Sequence, residues 1–373
     1  MNKIQPKEKI LVVGAFPHRK TNIFGGFLTV CNALKSSSFS KDFDLILVDT
    51  TQISNPAPGL LIRSLLASRR TVNFFFKVIT FRPHVAIIFC SSGLSLLEKG
   101  IMGRFSSACR IPTIMAPGGG HLLRDFHRSF ALRLFARIAF QKADKILCQG
   151  QEWQEFMSTY FCRDLEDLPI VGNWTATREL LDVGKARTYR KKVGKLNLLF
   201  VGWLDRSKGV MDLLEALQVE NASDHVLLDF VGEGNVSDEA RRLVKDRNLG
   251  DSVNFSGWLH GENLLQAYQK ADVFILPSWM EGLPNAMIEA MSAGLCVVVS
   301  SVGNIPSTIR HLENGILIAP QSPAAIVEAL VNLIENDQAR IEMAKKAHLY
   351  AYQNFSTEIA VGKLTKVVKK LLN

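Results

Sequence analysis

The sequence predicts an α/β protein built from two doubly wound parallel-sheet domains. Two observations carry this prediction. The chain has 373 residues, which is too long for one ordinary hydrophobic core and fits two domains. Apolar, β-rich runs alternate with helix-like segments through both halves, and strands that are apolar on both faces are typical of parallel sheets covered by helices.

Ten apolar runs, five in each half, are predicted to be strands. Residues 173–195 lack such a run and are rich in charge, so the linker is expected there. The sequence therefore predicts an N-terminal domain over residues 1–175 and a C-terminal domain over residues 176–354, with a cleft between them. A Lys-rich helix pattern over residues 355–373 could pack on either domain. In order, the runs are KILVVGAF, FDLILVD, HVAIIF, PTIMAP, DKILC, LNLLFVG, VLLDFVG, VNFSGW, DVFILP and LCVVVSS.

Positive charge is concentrated in the first half of the chain. Residues 1–175 contain 22 Lys and Arg against 12 Asp and Glu, whereas the remainder contains 22 against 23. Within residues 51–142 the count is 13 basic against 2 acidic. Such an excess of positive charge indicates that the N-terminal domain contacts an anionic partner.

The spacing of the cysteines and the lengths of the apolar runs indicate the cellular compartment of the protein. None of the six cysteines has C-x-x-C spacing, which argues against a zinc site and for a reducing compartment. The first residues lack the apolar core and the cleavage site of a signal peptide. No apolar run approaches the roughly 18 residues that span a bilayer. The sequence therefore predicts a cytoplasmic protein without a bound metal.

Two glycine-rich loops follow predicted strands of the first half, where ligands of doubly wound sheets bind. Gly25 and Gly26 open a helix without the G-x-G-x-x-G fingerprint of dinucleotide sites. They either allow close packing or bare N–H groups to a phosphate. Three further glycines, Gly118–Gly120, precede His121 and suggest close approach of a ligand. His121 is either functional or an ordinary surface histidine.

The first loop of the second half contains two cations. In LLFVGWLDRSKG, Arg206 and Lys208 lie between a strand and a helix, flanked by Gly202 and Gly209. Cations at such a position suit a diphosphate, because they neutralise charge while helix N–H groups bind oxygens. Exposed cations are more often simply solvated. The glycines of VGEG and VNFSGW repeat the strand-then-glycine pattern and could border a base or ribose.

Two carboxylates lie near the start of a predicted helix in EGLPNAMIEAMSAG. Pro284 fits the first helical turn and Gly294 the end, which places Glu281 in the preceding loop and Glu289 inside the helix. An anion on a helix N-terminus would repel nearby carboxylates, so both should contact hydroxyls. That combination describes a nucleotide sugar. Alternatively, both carboxylates only interact with the helix dipole.

The same string carries a family resemblance. EGLPNAMIEAMSAG, followed by SSVGNIPSTI and ENGILIAP, resembles the C-terminal signature of the retaining GT-B glycosyltransferases of family GT4, with the E-x7-E element at Glu281 and Glu289. FVGWLDRSKG and VGEG match the preceding elements in order, and FGG plus KADKILCQG resemble the N-terminal half more loosely. The resemblance covers nearly the whole chain. It implies two Rossmann-like domains that face each other across a cleft.

The resemblance also implies residue roles. Glu289 would bind the ribose hydroxyls of the donor, Glu281 with the backbone at Gly282 and Leu283 would contact the transferred sugar, and Lys208 would hold the diphosphate. The candidate catalytic residues are therefore Glu281, His121 and Lys208, and the candidate donor-binding residues are Arg206, Lys208, Gly282, Leu283, Glu289 and Gly26.

This sequence departs from the family pattern in three places. Trp203 occupies the position of the usual arginine after the glycine of the G-x-L loop, so Arg206 would have to supply the second cation. PGGG separates the fourth strand from His121, which is a candidate for the family's histidine. Asn304 and Ser307 stand where glycine and glutamate are common in VGGIPE.

The resemblance implies retaining transfer of a hexose from a UDP- or GDP-linked donor. The transition state would resemble an oxocarbenium ion, with charge growing on the leaving diphosphate. Lys208, Arg206 and helix N–H groups would stabilise that charge in a dry cleft. No D-x-D element follows a predicted strand, so neither a metal nor another cofactor is expected. Front-face attack and a covalent intermediate both remain open, and no nucleophile is assigned.

The basic half indicates the acceptor. Arg63, Arg70 and Lys77 recur every seven residues and share one side of a predicted helix, with apolar residues from Leu61 to Ile79 gathered opposite. That is a membrane-surface pattern. Packing of the apolar side on the sheet explains it equally well. We expect a peripheral enzyme at the inner face of the plasma membrane that extends a lipid-linked saccharide of surface polysaccharide, such as O-antigen, capsule or exopolysaccharide.

Three other functions fit parts of the sequence. A GT-B sugar-nucleotide epimerase would isomerise or hydrolyse the donor without an acceptor. A non-enzymatic polyanion-binding protein would leave Glu281 and Glu289 without purpose, so no nucleic-acid partner is expected. A nicotinamide oxidoreductase needs a phosphate fingerprint that the first loop lacks. The donor base and sugar, the acceptor, the linkage and the oligomeric state depend on loop shape rather than on motifs.

Overall fold

The computed structural model describes residues 7–17, 25–52 and 58–373, with the backbone alone described at 220–222. Phe24 of the FGG motif and residues 53–57 before the predicted basic helix lie outside the described residues. The chain divides into two units. Unit 1 comprises Met1–Trp174 and Thr357–Asn373, and unit 2 comprises Thr175–Ser356.

Unit 1 is built on a parallel sheet of five described strands in the order β2-β1-β3-β4-β5. The strands are β1 (Lys9–Gly14), β2 (Asp44–Asp49), β3 (Val85–Cys90), β4 (Thr113–Pro117) and β5 (Lys145–Ile146). The helices are α1 (Gly26–Ser36), α2 (Phe39–Asp42), α3 (Leu60–Phe81), α4 (Leu94–Ala108), α5 (His121–Asp125), α6 (Phe130–Phe140) and α7 (Gln151–Phe161), followed by a 3-10 turn at Leu165–Asp167.

Helix α15 (Thr357–Leu372) also belongs to unit 1. Its apolar side, formed by Ala360, Val361, Leu364 and Val368, is buried in the same cluster as residues of β1 and α1. At the end of the first segment, Trp174 Nε1 donates to the Val30 carbonyl oxygen at 2.7 Å. The last segment of the chain therefore completes a core that the first segment begins.

Unit 2 is built on a second parallel sheet, with strand order β11-β10-β9-β6-β7-β8 in the described residues. The strands are β6 (Leu196–Val201), β7 (Val226–Val231), β8 (Val253–Gly257), β9 (Val273–Leu276), β10 (Cys296–Ser300) and β11 (Ile316–Ile318). The helices are α8 (Arg178–Ala186), α9 (Val210–Ala216), α10 (Ser237–Asp246), α11 (Glu262–Lys270), α12 (Asn285–Ser292), α13 (Pro323–Glu335) and α14 (Asp337–Phe355), with 3-10 turns at Arg206–Lys208 and Val219–Asp224.

The buried runs explain why both sheets are parallel. All residues of β3, β9 and β10 are buried, as the continuous apolar runs in the sequence predict. Helices α13 and α14 begin where a polar side chain accepts an N–H bond from the first turn, Ser322 from Ala325 and Asn336 from Ala339. The prediction of two doubly wound parallel sheets is confirmed.

Helix α3 turns two of its cations, Arg70 and Lys77, towards the rest of unit 1 and most of its apolar side towards solvent. Arg70 pairs with Glu98 of α4, and Lys77 Nζ donates to the Leu47 carbonyl oxygen at 2.6 Å. Leu61 and Leu65 are 88% and 72% exposed. The alternative in which this apolar side packs on the sheet is therefore wrong, because Phe74 and Val78 fill the contact instead and a buried carboxylate and a carbonyl oxygen take the cations.

The segment expected to be a linker folds largely onto unit 2. Helix α8 lies within it, and the Arg187 guanidinium that follows donates to three carbonyl oxygens, those of Ala293, Ala271 and Tyr268, at 2.6–2.8 Å. These carbonyl groups lie at the C-terminal ends of α11 and α12, where backbone oxygens have no hydrogen-bond partner inside their own helix. Arg187 therefore ties the segment to two helices of unit 2.

We expect Arg187→Met to lower the free energy of unfolding by about 3 kcal/mol, because buried carbonyl oxygens would lose a charged donor. Urea unfolding followed by circular dichroism measures the change. The exposed Arg190 is the matched control, and Arg190→Met should leave the unfolding curve in place. Equal curves for both variants would show that the three contacts of Arg187 are not stabilising.

Candidate active site

The candidate site of unit 2 lies where the loops after β6, β9 and β10 meet at the carboxyl edge of the sheet. Two close backbone approaches hold these loops together. A side chain at Gly209 would collide with the carbonyl oxygen of Pro277, and one at Gly303 with that of Glu281. Both glycines have positive φ, 71° and 56°, so only glycine fits without strain. The loops are therefore packed backbone to backbone.

Lys208 and Glu281 form an ion pair across two of these loops. Lys208 Nζ lies 2.5 Å from Glu281 Oε1, and Ser278 Oγ donates to the same oxygen at 2.8 Å. The Glu281 side chain is largely buried. An ammonium group has three N–H donors, so Lys208 can bind this carboxylate and a phosphate oxygen at the same time.

Trp279 fixes the loop that carries Glu281. Its backbone N–H donates to the Ser207 carbonyl oxygen at 2.8 Å, and its indole Nε1 donates to Asp212 Oδ2 of α9 at 2.5 Å. The distance between Lys208 and Glu281 is thus set by contacts on either side of the pair. Sequence reasoning gave no role to Trp279, because its two partners lie some 70 residues earlier in the chain.

Glu289 lies in α12 and is 9% exposed. Tyr268 of α11, itself fully buried, donates its hydroxyl to Glu289 Oε2 at 2.8 Å. Burial raises the pKa of the Glu289 carboxyl, and the bond from Tyr268 opposes that rise. Burial, with the neighbouring carboxylate, also raises the pKa of Tyr268 well above its ordinary value. Tyr268 therefore orients Glu289, a role for which the sequence contains no signal.

Arg206 does not join Lys208 and Glu281 in the structure. Its exposed side chain pairs with Glu239 of α10 at 2.5 Å. Arg206 and Lys208 are two residues apart in a 3-10 turn, where successive side chains are rotated by roughly 120°, so they point to different sides. That Arg206 supplies a second cation to the diphosphate stays a prediction, and in this structure its side chain is paired with Glu239 instead.

Trp203, at the position of the family's arginine, packs against another aromatic ring. Its ring centroid lies 4.9 Å from that of Trp258, edge to face at 74°. These residues follow β6 and β8, and both are half-buried. The loops thus form an aromatic wall at this edge of the sheet, where the family pattern would place a charge.

Asn304 is a buried residue of the loop after β10. Its backbone N–H donates to the Gly282 carbonyl oxygen at 2.9 Å, and its side chain is 1% exposed. Both amide atoms, Oδ1 and Nδ2, lack a hydrogen-bond partner among the described residues. Ser307 is exposed and donates to the Asn304 carbonyl oxygen at 2.8 Å. Gly282 and Leu283 are buried directly before α12.

The remaining candidates, Gly26 and His121, belong to unit 1. Gly26 is the first residue of α1 and lines a cavity of about 790 Å³. His121 is the first residue of α5 and is exposed. Each is positioned at the carboxyl edge of the unit 1 sheet.

No described helix is long and apolar enough to cross a membrane. Likewise, the described His, Cys, Asp and Glu side chains do not form a group of three or more that could hold a metal ion.

Unit 2 matches a known protein family. Residues 185–351 match the model described as glycosyl transferases group 1. An uncharacterized glycosyltransferase of Methanocaldococcus jannaschii is 24% identical over 245 residues, which are 65% of this chain and 62% of that protein. The chain covers between 45% and 62% of the length of the first curated relatives that it matches.

Solved structures match nearly the whole chain. The UDP complex of HepE from Anabaena has a TM-score of 0.71 at 16% identity and covers 97% of this chain and 100% of that one. The apo form of WaaB, a lipopolysaccharide outer core galactosyltransferase, has a TM-score of 0.71 at 17% identity, with 97% and 99% covered. These matches confirm the GT-B fold. The match over residues 185–351 identifies this part of unit 2 as similar to the group 1 glycosyltransferases.

Proposed function

We propose that this protein is a retaining glycosyltransferase of the GT4 type, which moves a hexose from a nucleotide-diphosphate sugar to a saccharide acceptor. The observation that carries the proposal is the Lys208–Glu281 pair. It joins the loop after β6 to the loop before α12, the helix that contains Glu289. One cation and two carboxylates at a single sheet edge suit a ligand with both phosphates and hydroxyls. HepE, which has the same fold, was solved with UDP.

Each charged group has a part of the donor to bind. Lys208 binds the diphosphate, Glu281 accepts from hydroxyls of the transferred sugar, and Glu289 accepts from the ribose hydroxyls through the carboxylate that Tyr268 orients. The unpaired Asn304 amide, whose backbone is bonded to Gly282, could pair with a further sugar hydroxyl. The base would lie against the aromatic wall of Trp203 and Trp258.

The same groups support the transfer step. As the bond from the sugar to the diphosphate breaks, negative charge grows on the leaving oxygen and positive charge on the sugar ring. Lys208 stabilises the first, and Glu281 stabilises the second while holding Lys208 in place. In this mechanism Lys208 and the N–H groups at the start of α12 supply the positive field, so the reaction is proposed to proceed without a divalent metal.

The acceptor is proposed to be a lipid-linked saccharide of surface polysaccharide, extended at the inner face of the plasma membrane. Helix α3 supports this, since its exposed side carries Leu61, Leu65 and Phe76 next to the exposed cations Arg63 and Arg69. Apolar side chains flanked by cations are typical of helices that lie on anionic membranes. WaaB, of the same fold, acts on the outer core of lipopolysaccharide.

Donor binding tests the assignment of unit 2. Titration of the full chain with UDP-, GDP- and ADP-sugars by calorimetry, without divalent metal, should give micromolar binding to one nucleotide. Glu289→Ala should weaken it about tenfold or more, because the ribose loses a buried charged acceptor. Glu328→Ala, on the exposed side of α13, is the control. No binding to any of the three would reject the donor site.

The buried carboxyl predicts a pH dependence. Burial raises the pKa of Glu289 above its unfolded value, so its contribution to stability is greatest at low pH and falls as pH rises between the two pKa values. The glutamine of Glu289→Gln cannot ionise, so this variant does not lose stability in that way. The unfolding free energy of this variant should therefore increase relative to wild type as pH rises above the ordinary range of a carboxyl group. A difference between the two proteins that does not change with pH would contradict the burial of this charge.

Vesicle sedimentation tests the membrane proposal. The full chain should bind vesicles of phosphatidylglycerol and phosphatidylcholine at low salt, and less well as salt screens the cations. Leu61→Ser combined with Phe76→Ser should reduce binding, because apolar area on α3 is lost. Leu349→Ser, at an exposed position of α14, should not. Wild-type protein that stays in the supernatant at low salt would sink this part of the proposal.

A further inference from the structure

Unit 1 contains a cavity of about 790 Å³. It lies at the carboxyl ends of β1, β2 and β3, and its walls come from α3 and α4. The first turns of α1 and α4 also line it, and helix N-termini favour anions. Apart from Gly26, which the family resemblance offers as a donor-binding residue, none of the candidate donor-binding residues lines this cavity.

An ionic cluster forms part of the cavity wall. Arg70 of α3 binds both oxygens of Glu98 in α4, at 2.8 and 3.0 Å, and Lys99 Nζ donates to Glu98 Oε2 at 2.8 Å. Glu98 and Lys99 are 8% and 4% exposed. Among the described residues, Glu98 is the hydrogen-bond partner of the Lys99 ammonium, and one carboxylate therefore serves two cations.

Among the described residues, the cluster contains two cations and one carboxylate, so one positive charge lacks a counterion. The electrostatic neighbours of Lys99 are Glu98, Arg70 and Cys90, and burial raises the pKa of the Cys90 thiol to about 12, so Glu98 is the anion among them near neutral pH. Burial also lowers the pKa of Lys99. Because a buried unpaired charge is unfavourable, an anion bound in the cavity would stabilise the cluster. Arg63 at the wall adds a further cation.

The rim of the cavity is apolar. Val72, Leu94 and Ile101 line the cavity and are also 65%, 44% and 43% exposed. Val72 continues into the exposed apolar side of α3. A ligand that satisfies the whole cavity therefore has an anionic head for the buried cations and an alkyl chain for the rim.

We propose that this cavity binds a phosphate group attached to an alkyl chain, with Lys99 and Arg70 on the phosphate and Val72, Leu94 and Ile101 on the chain. Glu98 is a positioning residue that holds the two cations at the wall. Two sources could supply this chemistry, namely the lipid phosphate of the acceptor and the head group of a membrane phospholipid. Assignment to the acceptor rests on the proposed function, whereas binding of the alkyl phosphate does not.

The binding experiment uses the full chain and dodecyl phosphate below its micelle concentration, followed by calorimetry. We expect saturable binding of one molecule. Dodecyl maltoside, which has the chain without the phosphate, should bind at least about tenfold more weakly, and Lys99→Met should weaken dodecyl phosphate by a similar factor. Lys77→Met is the matched control. Lys77 is a partly buried cation on the same side of α3 as Arg70, but it does not line the cavity.

A second variant protects the test against misfolding. Val72→Asp changes an exposed rim residue, so the substitution should not unfold the protein. It places a carboxylate where the alkyl chain would lie. It should weaken dodecyl phosphate as Lys99→Met does. Absence of binding to wild type, equal affinity for dodecyl phosphate and dodecyl maltoside, or unchanged affinity in Val72→Asp would each overturn the proposal.

Two further readouts separate the sources and the proposals. If the cavity takes a membrane head group, Lys99→Met lowers sedimentation with phosphatidylglycerol vesicles. If it takes the acceptor, sedimentation is unchanged and KM for a polyprenyl-diphosphate-linked saccharide rises. Each result supports the shared phosphate chemistry. Titration with UDP-sugar reports on unit 2 alone. Absence of binding there would reject the proposed function, whereas the dodecyl phosphate titration would still decide whether the cavity of unit 1 binds an alkyl phosphate.

Discussion

The candidate active site depends on the Lys208–Glu281 ion pair, because it joins two loops that carry the site's charge. The pair exists only because the backbone at Gly209 lies against Pro277 and Trp279 bridges both loops. Oppositely charged side chains in exposed loops interact weakly. Here other contacts fix the two loops, so the ion pair joins positions that do not depend on it alone. The geometry of this site is therefore a property of backbone packing at the sheet edge.

Burial and solvation explain the other charged groups. Glu289 is kept in a buried position by Tyr268, which gives its carboxylate a donor where water has little access. Glu98 is held by two cations in unit 1. In both places an ionisable group accepts the unfavourable free energy of desolvation, and such positions are where functional groups concentrate. The surface pair of Arg206 and Glu239, which remains in solvent, has no comparable constraint.

Helix α3 illustrates the limit of periodicity. A seven-residue recurrence of cations correctly indicates that Arg70 and Lys77 share a side of the helix, but it cannot say which side meets the sheet. Partners distant in sequence decide that. The Glu98 carboxylate and the Leu47 carbonyl oxygen both require a donor, and Phe74 and Val78 supply the apolar contact. The exposed apolar side follows as a consequence.

The sequence by itself determined the two parallel sheets, ten of their eleven described strands and the short helix between Glu281 and Gly294. These features follow from local composition, because apolar runs, glycine and proline act within a few residues of themselves. Only the tertiary structure decided that Lys208 meets Glu281, that Arg206 turns to Glu239, that Tyr268 orients Glu289 and that Lys99 lines a cavity. Each of these depends on loops and helices brought together across tens of residues, and no local pattern encodes that distance.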